Sequence, residues 1–77
     1  MAIYAFLEGE LPPRHLPEVD EDTLVERAQE VVHEVFSVDS GFHAVLSFNG
    51  VDLADPNAPL KNYGIANEAL INARPVR

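Results

Sequence analysis

The sequence predicts an α+β fold in which a mixed sheet of four to five strands packs on one α-helix. The first observation is a strand-like alternation in residues 1–7, and the second is a single stretch of helical periodicity in residues 23–36. The third is a pair of strand-like segments around Asn49-Gly50, a dipeptide typical of tight hairpin turns. The 77 residues provide for one domain with one core. A helix covering one face of a sheet buries both apolar surfaces economically.

The first two strands are predicted to form a hairpin. The opening seven residues alternate between two sets of side chains, Ile3, Ala5 and Leu7 on one side and Ala2, Tyr4 and Phe6 on the other. Gly9 allows a turn, after which residues 11–19 are expected to return antiparallel. This return contains Pro12, Pro13 and Pro17, and proline cannot donate to a sheet ladder. The second strand is therefore predicted at an edge of the sheet or interrupted by a bulge.

The helix is predicted to run from Thr23 to Phe36. Thr23 and Glu26 have the spacing of a capping box, in which the hydroxyl bonds an amide of the first turn and the carboxylate reaches back to the cap. Apolar side chains then recur at helical spacing: Leu24, Ala28, Val31, Val32 and Val35. Because three of these are valines, which are weak helix formers, we expect packing of this stripe on the sheet to hold the helix.

The second half of the chain is predicted to contain three more strands. Residues 43–48 alternate between two sets of side chains, Ala44, Leu46 and Phe48 on one side and His43, Val45 and Ser47 on the other. Residues 51–53 form a short return after Asn49-Gly50. The chain is then broken at Asp55-Pro56-Asn57. Residues 69–73 are predicted as the last strand, which Pro75 weakens at its end.

Charge and composition disfavour several classes of protein. Five Lys and Arg against thirteen Asp and Glu give a net charge of −8, which repels nucleic acid and anionic membranes. No apolar run approaches the roughly 18 residues that a membrane span needs, and the N-terminus lacks a basic signal-peptide region. We expect a cytoplasmic or nuclear protein that is monomeric when isolated and binds neither nucleic acid nor membrane. The acids between residues 18 and 34 are expected to form a solvated face, with docking of a basic partner as the alternative.

No catalytic, metal or cofactor site is predicted. The chain has no cysteine, and His15, His33 and His43 fall in three different elements without the spacing of a metal site. The serines lack a glycine-flanked nucleophile elbow. The acids that follow Asp52 lack the alternation and the distal glutamate of a calcium loop. We therefore expect no enzyme activity and no cofactor.

The order of elements, together with three motifs of the second half, resembles the ubiquitin-like β-grasp family. LSFNGVDL, residues 46–53, is similar to the family's strand, glycine turn and short strand, and EALINA, residues 68–73, is similar to its last strand. PLKNYGI, residues 59–65, resembles the Leu, Tyr, Ile signature of the segment between them. The resemblance implies a ubiquitin-like fold in which the first strand is central and the second lies at the edge.

The resemblance also implies roles for three residues of PLKNYGI. Tyr63 is expected to end a tight 3₁₀-like turn and to bond back to nearby backbone. Leu60 and Ile65 are expected to enter the core.

The resemblance further implies a type within the family. Conjugated members end in Gly-Gly, whereas this sequence ends in Arg74-Pro75-Val76-Arg77. The expectation is an integral, non-conjugated ubiquitin-like domain that acts as an adaptor by docking a protein partner. Two alternatives stay open: a small acidic accessory subunit of a bacterial multicomponent enzyme or secretion system, and a modifier truncated before its C-terminal glycines.

The predicted docking surface is the exposed face of the sheet. Carried over by register, the aliphatic patch of ubiquitin falls on Ser47, Asn72 and Arg74 and near Glu8-Gly9, so binding to standard ubiquitin receptors is not expected. The alternation instead places aromatic side chains outside, joined by an aliphatic one on the third strand. The predicted partner-binding residues are Tyr4, Phe6, Val45, Ser47, Asn72 and Arg74. Two alternatives for the aromatic pair stay open: residues 11–17 fold over it, or the first strand is shifted by one residue.

Overall fold

The computed structural model describes residues 2–10 and 12–77, which form five strands, one α-helix and one 3₁₀ helix. In chain order these are β1 (Tyr4–Leu7), β2 (Arg14–His15), α1 (Val25–Phe36), β3 (His43–Phe48), β4 (Val51–Asp52), the 3₁₀ helix (Leu60–Tyr63) and β5 (Leu70–Val76). The strands form one sheet in the order β2-β1-β5-β3-β4. The pair β1 and β5 is parallel, and the other neighbouring pairs are antiparallel. The predicted α+β fold with a mixed sheet and one helix is confirmed.

The core lies between α1 and one face of the sheet, which we call the inner face. The buried apolar side chains of the core are Ile3, Ala5, Leu7, Leu16, Val19, Val25, Ala28, Val31, Val32, Phe36, Ala44, Leu46, Leu53, Leu60, Ile65, Ile71 and Ala73. In β1 and the residue before it, the inward set is Ile3, Ala5 and Leu7, whereas Tyr4 is exposed. The predicted alternation is therefore confirmed, and the alternative of a one-residue shift is excluded.

The second strand lies at the edge of the sheet, as predicted, but it is much shorter than residues 11–19. Only Arg14 and His15 pair with β1, opposite Ala5 and Tyr4 respectively. Prolines flank this pair in the sequence and supply no ladder donors. Leu11, and Met1 of the predicted first strand, lie outside the described residues.

The helix starts at Val25, and the predicted capping box at Thr23 is wrong. The Thr23 hydroxyl instead accepts a hydrogen bond from the Asp20 N–H at 3.0 Å. The first backbone donors of α1 are satisfied by a distant loop, since the N–H groups of Val25 and Glu26 donate to Ala58 O and Pro56 O, both at 3.0 Å. Backbone carbonyls thus do what the capping side chains were expected to do.

The apolar stripe of α1 is shifted from the predicted one. Leu24 is the N-cap residue, has extended backbone angles and is 37% exposed, so it is not part of the helical stripe. Its backbone forms an antiparallel bridge with Pro59, which holds it outside the helix. Val25 and Phe36 are buried instead, and Val35 is half-buried.

The segment from Pro59 to Ile65 follows the resemblance. Leu60 and Ile65 are buried, at 0% and 1% exposure. The 3₁₀ helix ends at Gly64, whose φ of 80° lies in the left-handed region that favours glycine. The Tyr63 hydroxyl accepts a hydrogen bond from the Asp55 N–H at 3.1 Å, which is the predicted bond back to nearby backbone.

The last strand is longer than residues 69–73, because Pro75 does not end it. Pro75 lies opposite Ala44 of β3, and the Ala44 carbonyl points away from β5 to accept a bond from Gln29. The two residues therefore form a pair without ladder hydrogen bonds, in which the proline nitrogen also points away from β3. On that other side the β1 pairing stops at Ala73, so no donor is needed there.

Candidate docking face

The six predicted partner-binding residues lie on the face of the sheet opposite α1, which we call the outer face. Phe6 of β1 lies beside Asn72 of β5, and Asn72 lies beside Ser47 of β3, so these three form one row across three strands. Arg74 and Val45 form the neighbouring row. Tyr4 lies two residues before Phe6 on the same side of β1. The structure thus brings the predicted set together on one continuous surface.

The most exposed apolar part of the outer face is at the start of β1 and β5. Tyr4 and Leu70 lie side by side in register, with exposed fractions of 37% and 49%. Phe6 and Val45 are half-buried, and Ser47 is only 9% exposed, so Ser47 offers a partner little contact area. At this end of the face the exposed apolar area is therefore the Tyr4 and Leu70 pair, with Phe6 next to it.

Two of the outer-face residues that the sequence prediction missed lie beside Tyr4. Leu70 belongs to the outer face because Ile71 and Ala73 point inward, and that alternation was already visible in residues 69–73. His15 lies opposite Tyr4, and the two rings meet edge to face with centroids 5.7 Å apart. Sequence offered no signal for His15, since the register of a two-residue strand between prolines cannot be read from alternation. The segment that contains β2 thus contacts the edge of the Tyr4 ring through His15 and does not cover it, so Tyr4 stays exposed.

The other end of the outer face combines an exposed aliphatic side chain, Val76 at 39%, with an ion pair. The guanidinium nitrogens of Arg74 lie 3.3 Å from both carboxylate oxygens of Asp52 on β4. The hydrogen bond and the charge of Asp52 raise the pKa of Arg74 above its usual value, against a smaller opposing effect of desolvation. The charges of Arg74 and Asp52 offset each other, and the nearby carboxylate of Glu8 adds to the rise in the pKa of Arg74.

The histidines do not come together into a site. His15 is on β2, His33 on α1 and His43 on β3. Within residues 2–10 and 12–77, no group of three or more His, Asp or Glu side chains is placed to hold a metal ion. The same part of the chain contains no helix that is both long enough and apolar enough to span a membrane.

Comparison with solved structures assigns the fold. In its solution NMR structure, the ubiquitin-like domain of an Arabidopsis thaliana protein is similar with a TM-score of 0.75 and 20% identity, over 95% of this chain and 73% of that one. A second structure of the same plant domain gives a TM-score of 0.70 over 82% of its length. The C-terminal ubiquitin-like domain of mouse tubulin-specific chaperone e gives 0.65 and 14% identity, over 100% of this chain and 87% of that one.

The chain has the ubiquitin-like β-grasp fold, as the motifs of its second half predicted. No protein-family model matches the sequence, and no curated protein matches it significantly. At 14% to 20% identity, the structural similarity defines the fold and not the function. Function must therefore be argued from the surface residues of this chain.

Proposed function

We propose that the protein is a non-enzymatic ubiquitin-like module that docks a protein partner through the outer face. The observation that carries the proposal is the exposed Tyr4 and Leu70 pair, held side by side on two central strands. An aromatic and an aliphatic side chain on a rigid sheet can bury apolar area with little loss of side-chain entropy. Phe6 extends the same apolar surface.

Two polar side chains of β5 on the outer face suit the rim of an interface. Asn72 is exposed and offers an amide, and Arg74 is already paired with Asp52. A polar rim around an apolar centre is the common anatomy of protein interfaces. The partner surface is therefore expected to be apolar at its centre and close to neutral, with an affinity that changes little with salt.

The proposal is tested by affinity purification with a matched pair of surface variants. Leu70→Glu places a charge at the centre of the outer face, and Leu24→Glu places the same charge on a side chain of similar exposure that lies off this face. Proteins retained by the wild type and by Leu24→Glu, but lost with Leu70→Glu, are the expected partners. Their dissociation constants for the wild type and for Tyr4→Ala are then measured by calorimetry.

The expected result is at least a tenfold loss of affinity for Tyr4→Ala, since anchor residues cost about 2 kcal/mol or more on truncation. Circular dichroism melts confirm that each variant is folded. A partner that binds Leu70→Glu and Tyr4→Ala as tightly as the wild type would refute the outer face as the docking surface.

A further inference from the structure

A groove runs between α1 and β3, on a different side of the molecule from the outer face. Its volume is about 490 Å³, and it is lined by Glu26, Gln29, Glu30, His33, Glu34, His43 and Ala44. Binding sites in proteins have volumes of about 300–1,000 Å³. The groove is thus large enough to hold several side chains of a bound segment.

One wall of the groove is an edge of β3 without a strand beside it. β4 pairs only with Ser47 and Phe48, and the Leu53 N–H donates to Leu46 O at 2.9 Å just beyond that pairing. In the described residues, the register gives positions 43–45 no strand partner on this side. Because backbone groups of alternate residues in a strand point to the same side, Ala44 directs both its N–H and its C=O to the side without a strand. Ala44 is only 1% exposed, so a partner strand reaches these groups once the side chains that cover them move aside.

Gln29 of α1 occupies one of these two backbone groups. Its side-chain amide donates to Ala44 O at 3.0 Å, reaching across the groove from the helix. A hydrogen bond of this kind occupies a backbone group of the strand edge and so disfavours pairing with another chain. The Gln29 side chain is half-buried, and an N–H from an added strand can replace it as the donor to Ala44 O.

The helix wall of the groove is acidic. Glu26, Glu30 and Glu34 are all exposed. Arg27 lies 2.9 Å from Glu30 and 4.0 Å from Glu34, so one guanidinium serves two carboxylates. Within residues 2–10 and 12–77, Glu26 has no basic side chain within 4.0 Å. The wall keeps a net negative charge that a basic occupant would neutralise.

We propose that this groove binds an extended basic segment of a partner protein as an additional strand beside β3. The backbone of the segment pairs with Ala44, displacing the Gln29 amide. Side chains of a strand alternate between two faces, so every second residue of the segment points towards α1. Lys or Arg at those positions reaches Glu26 and the neighbouring carboxylates. This second surface is independent of the docking proposed for the outer face.

The test titrates the ¹⁵N-labelled protein with a short, end-capped peptide in which lysine and valine alternate. Amide shifts are expected at Ala44 and along the groove side of α1, with slower hydrogen exchange at the Ala44 N–H. The affinity should fall as salt rises. Replacing each lysine of the peptide by glutamate should abolish binding. N-methylation on the pairing edge of the peptide should abolish it too, whereas N-methylation on the opposite edge should not.

Two protein variants separate strand pairing from loose charge attraction. Gln29→Ala removes the competitor for the Ala44 carbonyl, and affinity should rise about two- to tenfold. Glu26→Gln should lower affinity about two- to fivefold, while Glu10→Gln, the same change outside the groove, should leave it unchanged. Absence of saturable binding, shifts centred on Tyr4 and Leu70, or no gain from Gln29→Ala would each overturn the proposal.

Discussion

The two faces of β5 differ in what their side chains do for the protein. Ile71 and Ala73 point to the inner face and are 0% exposed, whereas Leu70 and Asn72 alternate with them on the outer face and are exposed. Neighbouring residues of β5 therefore have different environments. The inner set holds the fold, and the outer set is available to a partner without cost to the core. This separation lets one strand hold the fold on one face and leaves its other face exposed for the docking that we propose.

The largest test of this difference compares two neighbouring substitutions in β5. Ile71→Ala should lower the free energy of unfolding by about 2–5 kcal/mol, because it removes buried methyl groups and leaves a cavity. Leu70→Ala should change it by about 0.5 kcal/mol or less, since half of that side chain is in water. Urea unfolding followed by circular dichroism measures both.

Similar losses of unfolding free energy for Ile71→Ala and Leu70→Ala would contradict the difference between the two faces of β5. They would mean that the outer face also supports the fold. In that case the Leu70→Glu result in the affinity purification would report unfolding rather than lost contact.

A second substitution extends the comparison to the loop that leads into β5. Gly64 has a φ of 80°, and an added Cβ would meet no heavy atom within 4 Å in the described part of the chain. Gly64→Ala should therefore cost about 1–2 kcal/mol from backbone strain alone. Gly41→Ala is the control, because Gly41 also has open space but no positive φ. Thermal melts of the two variants should differ, and equal melting temperatures would contradict the assignment of strain to Gly64.

A third substitution examines the hydroxyl of Tyr63. Tyr63→Phe removes the oxygen that accepts the Asp55 N–H bond, and should cost about 0.5–1.5 kcal/mol. Tyr4→Phe removes a hydroxyl that has no hydrogen-bond partner among the described residues, and should cost less. Chemical denaturation of both variants gives the difference. A larger loss for Tyr4→Phe would show that the outer face contributes more to stability than its exposure implies.

The smallest expected effect is a pH dependence from an exposed ion pair. Lys61 lies 2.9 Å from Asp22, and the hydrogen bond to that carboxylate raises the pKa of Lys61 above its usual value. A pKa raised on folding stabilises the protein at pH values below the unfolded-state pKa of about 10.4, and this contribution disappears as pH rises through the folded-state pKa.

The measurement compares wild type, Lys61→Met and Lys61→Arg in unfolding experiments from neutral pH upwards. The wild type should lose stability relative to Lys61→Met in the alkaline range, and Lys61→Arg should retain its charge throughout it. Parallel pH profiles for wild type and Lys61→Met would show that the pair contributes nothing measurable.

Local patterns in the sequence predicted the features that depend on local chemistry. Alternation in β1 gave the correct inward set, and the three prolines near β2 gave its position at the edge. Asn49 and Gly50 do adopt the positive φ values of a hairpin turn. Alternation also predicted Tyr4, Phe6 and Val45 on the outer face, whereas Ser47, Asn72 and Arg74 were placed there by the register that the resemblance implied.

The errors arose where distant parts of the chain decide the local structure. Thr23 has the right spacing for a cap, yet backbone carbonyls from Pro56 and Ala58 reach the helix start and satisfy its donors. Pro75 is tolerated in β5 only because Ala44 makes no ladder bond to it. The contact of Gln29 with the edge of β3 likewise depends on how helix and sheet pack, which no spacing in the sequence reports.

The carbonyls that satisfy the start of α1 also bear on the order of folding. Val25 and Ala58 are far apart in the sequence, so their hydrogen bond forms only when the long segment between them closes into a loop. Contacts of high sequence separation slow folding, because their loop entropy is lost before they form. We therefore expect the first turn of α1 to be completed late in folding, and changes in the length of the loop before the 3₁₀ helix to alter the folding rate.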